Sequence, residues 1–234
     1  MKVLILAGGL GTRISEETKL KPKPMVLIKK KPLLWHLMNI FAKQGLSDFV
    51  IATGYKSQMI EDWAENLRSS WNITTVFTGE ETQTGGRIRQ CVEEFSDQTF
   101  IATYGDGLAN VNMKKVMQIH EQSRSIATIT AVRPPARFGR IQLDGNRVTH
   151  FGEKVQADEG WINGGFFVLN RKVNEFISGD SEPFETGALP RLAHENLLSA
   201  YLHEGFWQPM DTLREKTDLE NFAMLHPPPW LKDL

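Results

Sequence analysis

Five apolar residues running into three glycines within four positions place the tightest constraint on this chain. Val3–Ala7 is too short for a stable helix and is apolar throughout, as a strand buried on both faces must be. Gly8-Gly9-Leu10-Gly11-Thr12-Arg13 then lets the backbone turn sharply with several N–H groups on one side. That concavity suits phosphate oxygens, and Arg13 adds a planar cation able to grip them in bidentate fashion. Two familiar phosphate loops do not fit. Ile14 stands where a dinucleotide fingerprint needs its third glycine, and Ile28-Lys29-Lys30-Lys31 fills the region of the expected acidic residue. A P-loop is excluded as well, since no Gly-Lys-Ser/Thr follows. A glycine turn without a ligand is the alternative reading.

Downstream, strand and helix patterns alternate. Helical spacing covers Leu33–Lys43, Gln58–Leu67, Arg87–Phe95 and Met113–His120. Between them fall the strand candidates Phe49–Thr53, Ile73–Phe77, Thr99–Thr103 and Ala127–Val132. Such alternation with short connections predicts a mostly parallel sheet covered on both faces. After Val132 the chain becomes irregular. Asp144-Gly145-Asn146 signals a hairpin, Gly160–Leu169 and Ser199–Leu202 read as strands, and Lys172–Ile177 and Glu185–Glu195 as helices. A closing helix covers Thr212–Leu225, with Asp211 or Thr212 as its N-cap. No repeat or linker divides the 234 residues, so one α/β domain with an irregular second half is expected.

Composition narrows the partners. Lys and Arg total 27 against 28 Asp and Glu, a balance that argues against nucleic acid as partner. No apolar stretch approaches the roughly 18 residues of a membrane helix, and the run at Val3–Ala7 is too short for a signal sequence. Cys91 is the only cysteine, so neither an intramolecular disulfide nor a multi-cysteine zinc site can form. The expectation is a cytoplasmic protein without a membrane partner.

Two further segments carry chemistry. Lys19-Leu20-Lys21-Pro22-Lys23-Pro24-Met25 reads as an extended, proline-fixed loop from which Lys21 and Lys23 point to opposite sides, one of them toward the glycine loop. Asp106 sits between two glycines at the end of the strand Thr99–Thr103, where open α/β sheets bind ligands. Asp211 is a second carboxylate, readable equally as a helix cap. Mg²⁺ holding phosphates takes one or two such carboxylates. Phe151-Gly152-Glu153-Lys154 and Asn163-Gly164 offer a cation, a hydroxyl acceptor and an amide. Thr84-Gly85-Gly86-Arg87 is either a ligand-facing helix start or a plain one. The six histidines fit no metal spacing, and no covalent nucleophile motif is present.

Leu6-Ala7-Gly8-Gly9-Leu10-Gly11-Thr12-Arg13 followed by Lys21-Pro22-Lys23-Pro24-Met25 resembles the signature of the sugar-1-phosphate nucleotidylyltransferases. Thr84–Arg87, Tyr104–Gly107, Phe151–Lys154, Asn163–Phe167 and Phe206–Thr212 match as well, and within the family the set is similar to the glucose-1-phosphate cytidylyltransferases. The resemblance implies a single domain over 1–234 of the Rossmann-like, GT-A-like nucleotidyltransferase fold, with a mostly parallel sheet flanked by helices. Residues 1–132 would be mainly nucleotide-binding. Residues 133–234 would be mainly sugar-phosphate-binding and would include a smaller mixed β region. It implies Arg13 and Lys23 as catalytic cations, and nucleotide contacts from Leu6, Ala7, Gly8, Gly9, Gly11, Thr12, Arg13, Lys23, Thr84, Gly85, Gly86 and Asp106. Gly139, Glu153, Lys154, Asn163 and Gly164 would hold the sugar phosphate, and Asp106 and Asp211 would bind Mg²⁺.

The implied reaction joins CTP and α-D-glucose 1-phosphate into CDP-glucose and pyrophosphate, a step of deoxysugar and surface-polysaccharide biosynthesis. UTP, dTTP or another phosphorylated acceptor are the alternatives, and a non-catalytic sugar-nucleotide-binding protein is the rival class. One departure stands out: the stretch from Trp71 to Thr84 is about a score of residues shorter than the family pattern, which leaves base preference and homo-oligomer formation open. Lys23→Ala or Asp106→Asn is expected to fold normally and lose most turnover.

Overall fold

The computed structural model describes residues 1–93, 95–134, 140–152 and 160–234, with side chains described throughout these except at 140–143 and 150–152. In chain order the first half runs β1 (Lys2–Leu6), α1 (Ser15–Thr18), β2 (Leu27–Ile28), β3 (Lys31–Pro32), α2 (Leu33–Ala42), β4 (Asp48–Thr53), α3 (Ser57–Asn66) and β5 (Asn72–Phe77). Next come α4 (Thr84–Glu93), β6 (Thr99–Tyr104), β7 (Gly107–Ala109), α5 (Met113–Ser123) and β8 (Ala127–Val132). The remainder is β9 (Arg140–Asp144), β10 (Arg147–Gly152), β11 (Ile162–Asn170), α6 (Ala188–His194), β12 (Leu198–His203), β13 (Trp207–Pro209) and α7 (Leu213–Phe222).

Seven strands form the central sheet in the order β12-β8-β11-β6-β1-β4-β5. All neighbours run parallel except β11, which is antiparallel to both β6 and β8. The unbroken hydrophobicity of β1 follows from its position between β4 and β6, with helices on either side. Val3 and Ile5 face one core layer with α2 and α5; Leu4 and Leu6 face the other with Ile88 and Val92 of α4 and Leu192 of α6. Period-two alternation thus feeds two cores from one apolar strand.

The structure extends or corrects several expectations. Helix α4 begins three residues earlier than the apolar spacing indicates, so Thr84-Gly85-Gly86 lies in its first turn. Lys23–Met25 forms a 3₁₀ turn rather than extended chain, because Pro22 and Pro24 fix φ values that a tight turn also accepts. Lys172–Ile177 is likewise a 3₁₀ segment, at Arg171–Phe176. Helix α6 starts at Ala188, leaving Glu185 in the preceding turn. Thr212, not Asp211, caps α7: its side chain accepts from Glu215 N while the Glu215 carboxylate accepts from Thr212 N at 3.0 Å. The hairpin read at Asp144-Gly145-Asn146 is present, with Arg147 opposite Asp144 and Gly145 at φ 58°.

Candidate active site

Parallel strands place their carboxyl ends on one edge of the sheet, and β1 lies where the strand order turns back, with β6 on one side and β4 on the other. Leu6 pairs with Tyr104, and Gly105 N donates to Leu6 O at 3.1 Å. The glycine loop after β1 and the Tyr104-Gly105-Asp106 turn after β6 are therefore adjacent. A cavity of about 340 Å³ opens above them.

The glycine loop is held from outside. Gly8 O accepts from Tyr55 N at 3.2 Å and from Arg87 Nη2 at 3.0 Å. Gly11, in the left-handed region at φ 65°, has its carbonyl bonded by the Thr18 hydroxyl at 3.0 Å. A Cβ on Gly8 would stand 2.2 Å from the Arg87 guanidinium carbon, whereas one on Gly9 would meet only open space. Gly8 thus serves packing, and Gly9 leaves room for a ligand to approach the backbone.

Arg87 is 3% exposed and binds backbone on three segments: its Nη1 donates to Thr53 O at 2.8 Å and Gly79 O at 2.9 Å, and its Nη2 to Gly8 O. Its pKa is lowered, chiefly by burial. Carbonyl dipoles rather than a carboxylate solvate this cation, leaving its charge directed toward the base of the loop.

Beside the glycine loop, four charged side chains interlock. Lys23, 7% exposed at the start of its 3₁₀ turn, donates to Asp106 Oδ2 at 2.9 Å and to Asp211 Oδ1 at 2.6 Å. Arg13 Nη1 donates to Asp211 Oδ2 at 2.6 Å while remaining largely in solvent. Asp211 arrives there because β13 pairs with β7 and Met210 N donates to Asp106 O at 2.8 Å. Glu215 fixes it by accepting from Asp211 N at 2.7 Å, and the Asp211 carboxylate faces the two cations.

Neutral donors surround a third carboxylate that lines the same cavity. Thr84 Oγ1 donates to Glu185 Oε2 at 2.7 Å, and Tyr104 OH donates to Glu185 Oε1. Tyr104 is edge-on to Phe167, with ring centroids 5.4 Å apart, and its hydroxyl accepts a long bond of 3.4 Å from Asn163 Nδ2. Its pKa is strongly raised by burial and then by Glu185, so this hydroxyl remains a donor. Trp207 Nε1 donates to Gly164 O at 2.8 Å, tying β13 to β11.

Of the site residues expected from sequence, Leu6, Ala7, Gly8, Gly9, Gly11, Thr12, Arg13, Lys23, Thr84 and Asp106 line the large cavity. Asn163 and Gly164 line a smaller hollow of about 50 Å³ that shares Tyr104 and Asp106 with it. Asp211 reaches the cluster through Lys23 and Arg13. Gly85 and Gly86 face away: a Cβ on either would strike the backbone of Glu182 or Asp180 at 2.6 or 2.5 Å. Gly139, Glu153 and Lys154 lie outside the described residues. Sequence reasoning missed Glu185 and the roles of Tyr104 and Arg87. Arg87 closes the Thr84-Gly85-Gly86-Arg87 motif, but nothing local marks Glu185, which meets Thr84 across 101 positions.

A glycine loop at a strand end, two cations and paired carboxylates in one cleft of a mainly parallel sheet define an α/β protein with a charged centre at the carboxyl edge of its sheet. Residues 2–215 match the family model described as Nucleotidyl transferase, and the chain belongs to that family of enzymes. It is 43% identical over 253 aligned residues to a glucose-1-phosphate cytidylyltransferase of Salmonella typhi, with 98% of each chain covered. A probable glucose-1-phosphate cytidylyltransferase of Bacillus subtilis is 39% identical, with 92% of each covered. Among solved structures, HddC from Yersinia pseudotuberculosis, also determined in complex with GMP-PN, superposes with a TM-score of 0.73 at 25% identity, covering 94% of this chain and 98% of that one. Among the described residues no helix is long and apolar enough to cross a membrane.

Proposed function

We propose that the enzyme transfers the cytidylyl group of CTP to α-D-glucose 1-phosphate, giving CDP-glucose and pyrophosphate. The observation that carries this reading is the Arg13–Asp211–Lys23–Asp106 cluster beside the glycine loop, in a chain similar along nearly its whole length to cytidylyltransferases of that specificity.

A phosphate oxygen of the sugar phosphate attacks the α-phosphorus in line, and pyrophosphate leaves. That oxygen is already anionic near neutral pH, so no general base is required. No histidine lines the cavity among the described residues, and the reaction asks for none. Bringing the two polyanions together is the obstacle, since unit charges 4 Å apart repel by about 4 kcal/mol at an effective dielectric of 20. Backbone from Gly8 to Thr12 cradles the triphosphate. Arg13 and Lys23 offset the repulsion and hold the reacting groups in line, with Lys23 already held between two partners.

Asp106 and Asp211 suit Mg²⁺, because both carboxylates contact a single cation in the structure and hard oxygen donors are what that ion takes. When bound, Mg²⁺ would supply charge neutralisation for the triphosphate. Thr84 belongs to the nucleotide side, and Asn163 and Gly164 to the sugar side; Glu153 and Lys154 we assign to the sugar phosphate on the resemblance alone.

The test is pyrophosphate release with glucose 1-phosphate and each of CTP, UTP, dTTP, ATP and GTP in turn. Release with CTP, accompanied by the mass of CDP-glucose, supports the reading. Release with another nucleotide only would overturn the assignment of the base, and silence with all five would overturn the reading itself.

A further inference from the structure

Glu185 places a negative charge inside a cleft that must hold phosphates, and it does so without a cationic partner among the described residues. Arg13 and Lys23 hold the Asp106–Asp211 pair instead, so the cations that anionic oxygens need are found there and not at Glu185. What a carboxylate can accept is a neutral donor. Its oxygens offer about four lone-pair positions. Thr84 and Tyr104 take one on each oxygen, and the rest remain for a ligand. Tyr104 also lines the smaller hollow with Asn163, so the carboxylate is one hydrogen bond away from that hollow.

We infer that Glu185 is a specificity-determining residue that accepts a hydrogen bond from a hydroxyl of the sugar ring and selects for acceptors carrying it. This rests on the reading of the cleft as one for a sugar 1-phosphate. Thr84 and Tyr104 orient the carboxylate by donating one hydrogen bond to each oxygen, and the edge-on contact with Phe167 keeps Tyr104 in place. A site built around such an acceptor discriminates against a ring lacking the donor, because a half-buried carboxylate in the cleft then loses one of its hydrogen bonds.

The experiment compares wild type with Glu185→Gln, which preserves shape and removes the charge, using CTP with glucose 1-phosphate and its 2-, 3-, 4- and 6-deoxy analogues. The expected result is a rise of about 10- to 100-fold in KM for glucose 1-phosphate, with KM for CTP within a factor of two. One deoxy analogue should lose about as much with the wild type and nothing further with Glu185→Gln, while losses for the other analogues multiply. If Glu185→Gln fails to fold, Glu185→Asp, which keeps the charge and withdraws it by one methylene, is read in the same way. Losses that multiply for every analogue, or a rise confined to the KM for CTP, would overturn the inference and leave the cytidylyltransferase reading standing. Wild-type silence with all five nucleotides would overturn both.

Discussion

Replacing Lys23 by methionine removes one charge with little change in shape, and the structure sets the size of the effect. The two carboxylate oxygens bonded to Lys23 Nζ, at 2.9 and 2.6 Å, can be no more than about 5.5 Å apart. Without the ammonium they repel by about 3 kcal/mol at an effective dielectric of 20. The Lys23 side chain is 9% exposed and Asp211 16%, but Asp106 is 37% exposed and solvent screens its share. Arg13 continues to neutralise part of Asp211. Roughly half survives, about 1–2 kcal/mol, or a fall in Tm of about 2–8 °C for a chain of this size. A loss of that size leaves the variant folded, as expected for Lys23→Ala, and adds a measurable cost to it. Thermal unfolding followed by circular dichroism measures it. A second readout is MgCl2 titration at constant ionic strength: the variant should recover Tm more than wild type does, since a dication can then reach two carboxylates no longer sharing an ammonium. Turnover should fall by about 10²–10³. A variant with unchanged Tm, no greater response to Mg²⁺ and near-normal kcat would refute the reasoning.

Thr212→Ala removes one half of the α7 capping box and should cost about 1 kcal/mol in urea unfolding; through Glu215, which also holds Asp211 N, it should raise the apparent Mg²⁺ requirement. Burial lowers the pKa of His36, His120 and His203, so the native state favours their neutral forms. Their contribution to stability is complete above the unfolded value near 6.5 and is lost as pH falls from there toward the folded values. The urea midpoint should thus drop between pH 7.5 and 5.5, and His120→Gln should shallow that dependence if it folds. Cys91 is buried and its pKa is pushed up to about 12, so the native protein should resist a thiol reagent at pH 8 that labels it at once in denaturant. Arg87→Gln should weaken binding of CTP as measured by calorimetry, because the guanidinium that ties Gly8 O to Gly79 O is lost and Gly8 O keeps only Tyr55 N.

Much of the architecture was legible before any coordinates. Val3–Ala7 fits a doubly buried strand, being short, apolar throughout and ended by glycines, and β1 is found there. The regular alternation through Val132 gave the parallel part of the sheet and put Asp106 at a strand end. These are local properties, set by periods of two and 3.6 and by the backbone freedom of glycine and proline.

What the sequence did not contain was which distant segments meet. Asp211 read equally well as a helix cap. Its role depended on a three-residue ribbon, β13 on β7, that seats it beside Asp106, and on Thr212 taking the cap. Which of Lys21 and Lys23 faces the glycine loop stayed open in the local pattern, because burial is decided by what packs over a loop, not by the loop's own composition. The antiparallel β11, wedged between β6 and β8, brings Asn163 to Tyr104, and the turn before α6 brings Glu185 to Thr84. Short-range pattern determines which element a residue occupies. The pairing of elements far apart in the chain determines which charges share a cleft, and here only the tertiary structure decided that.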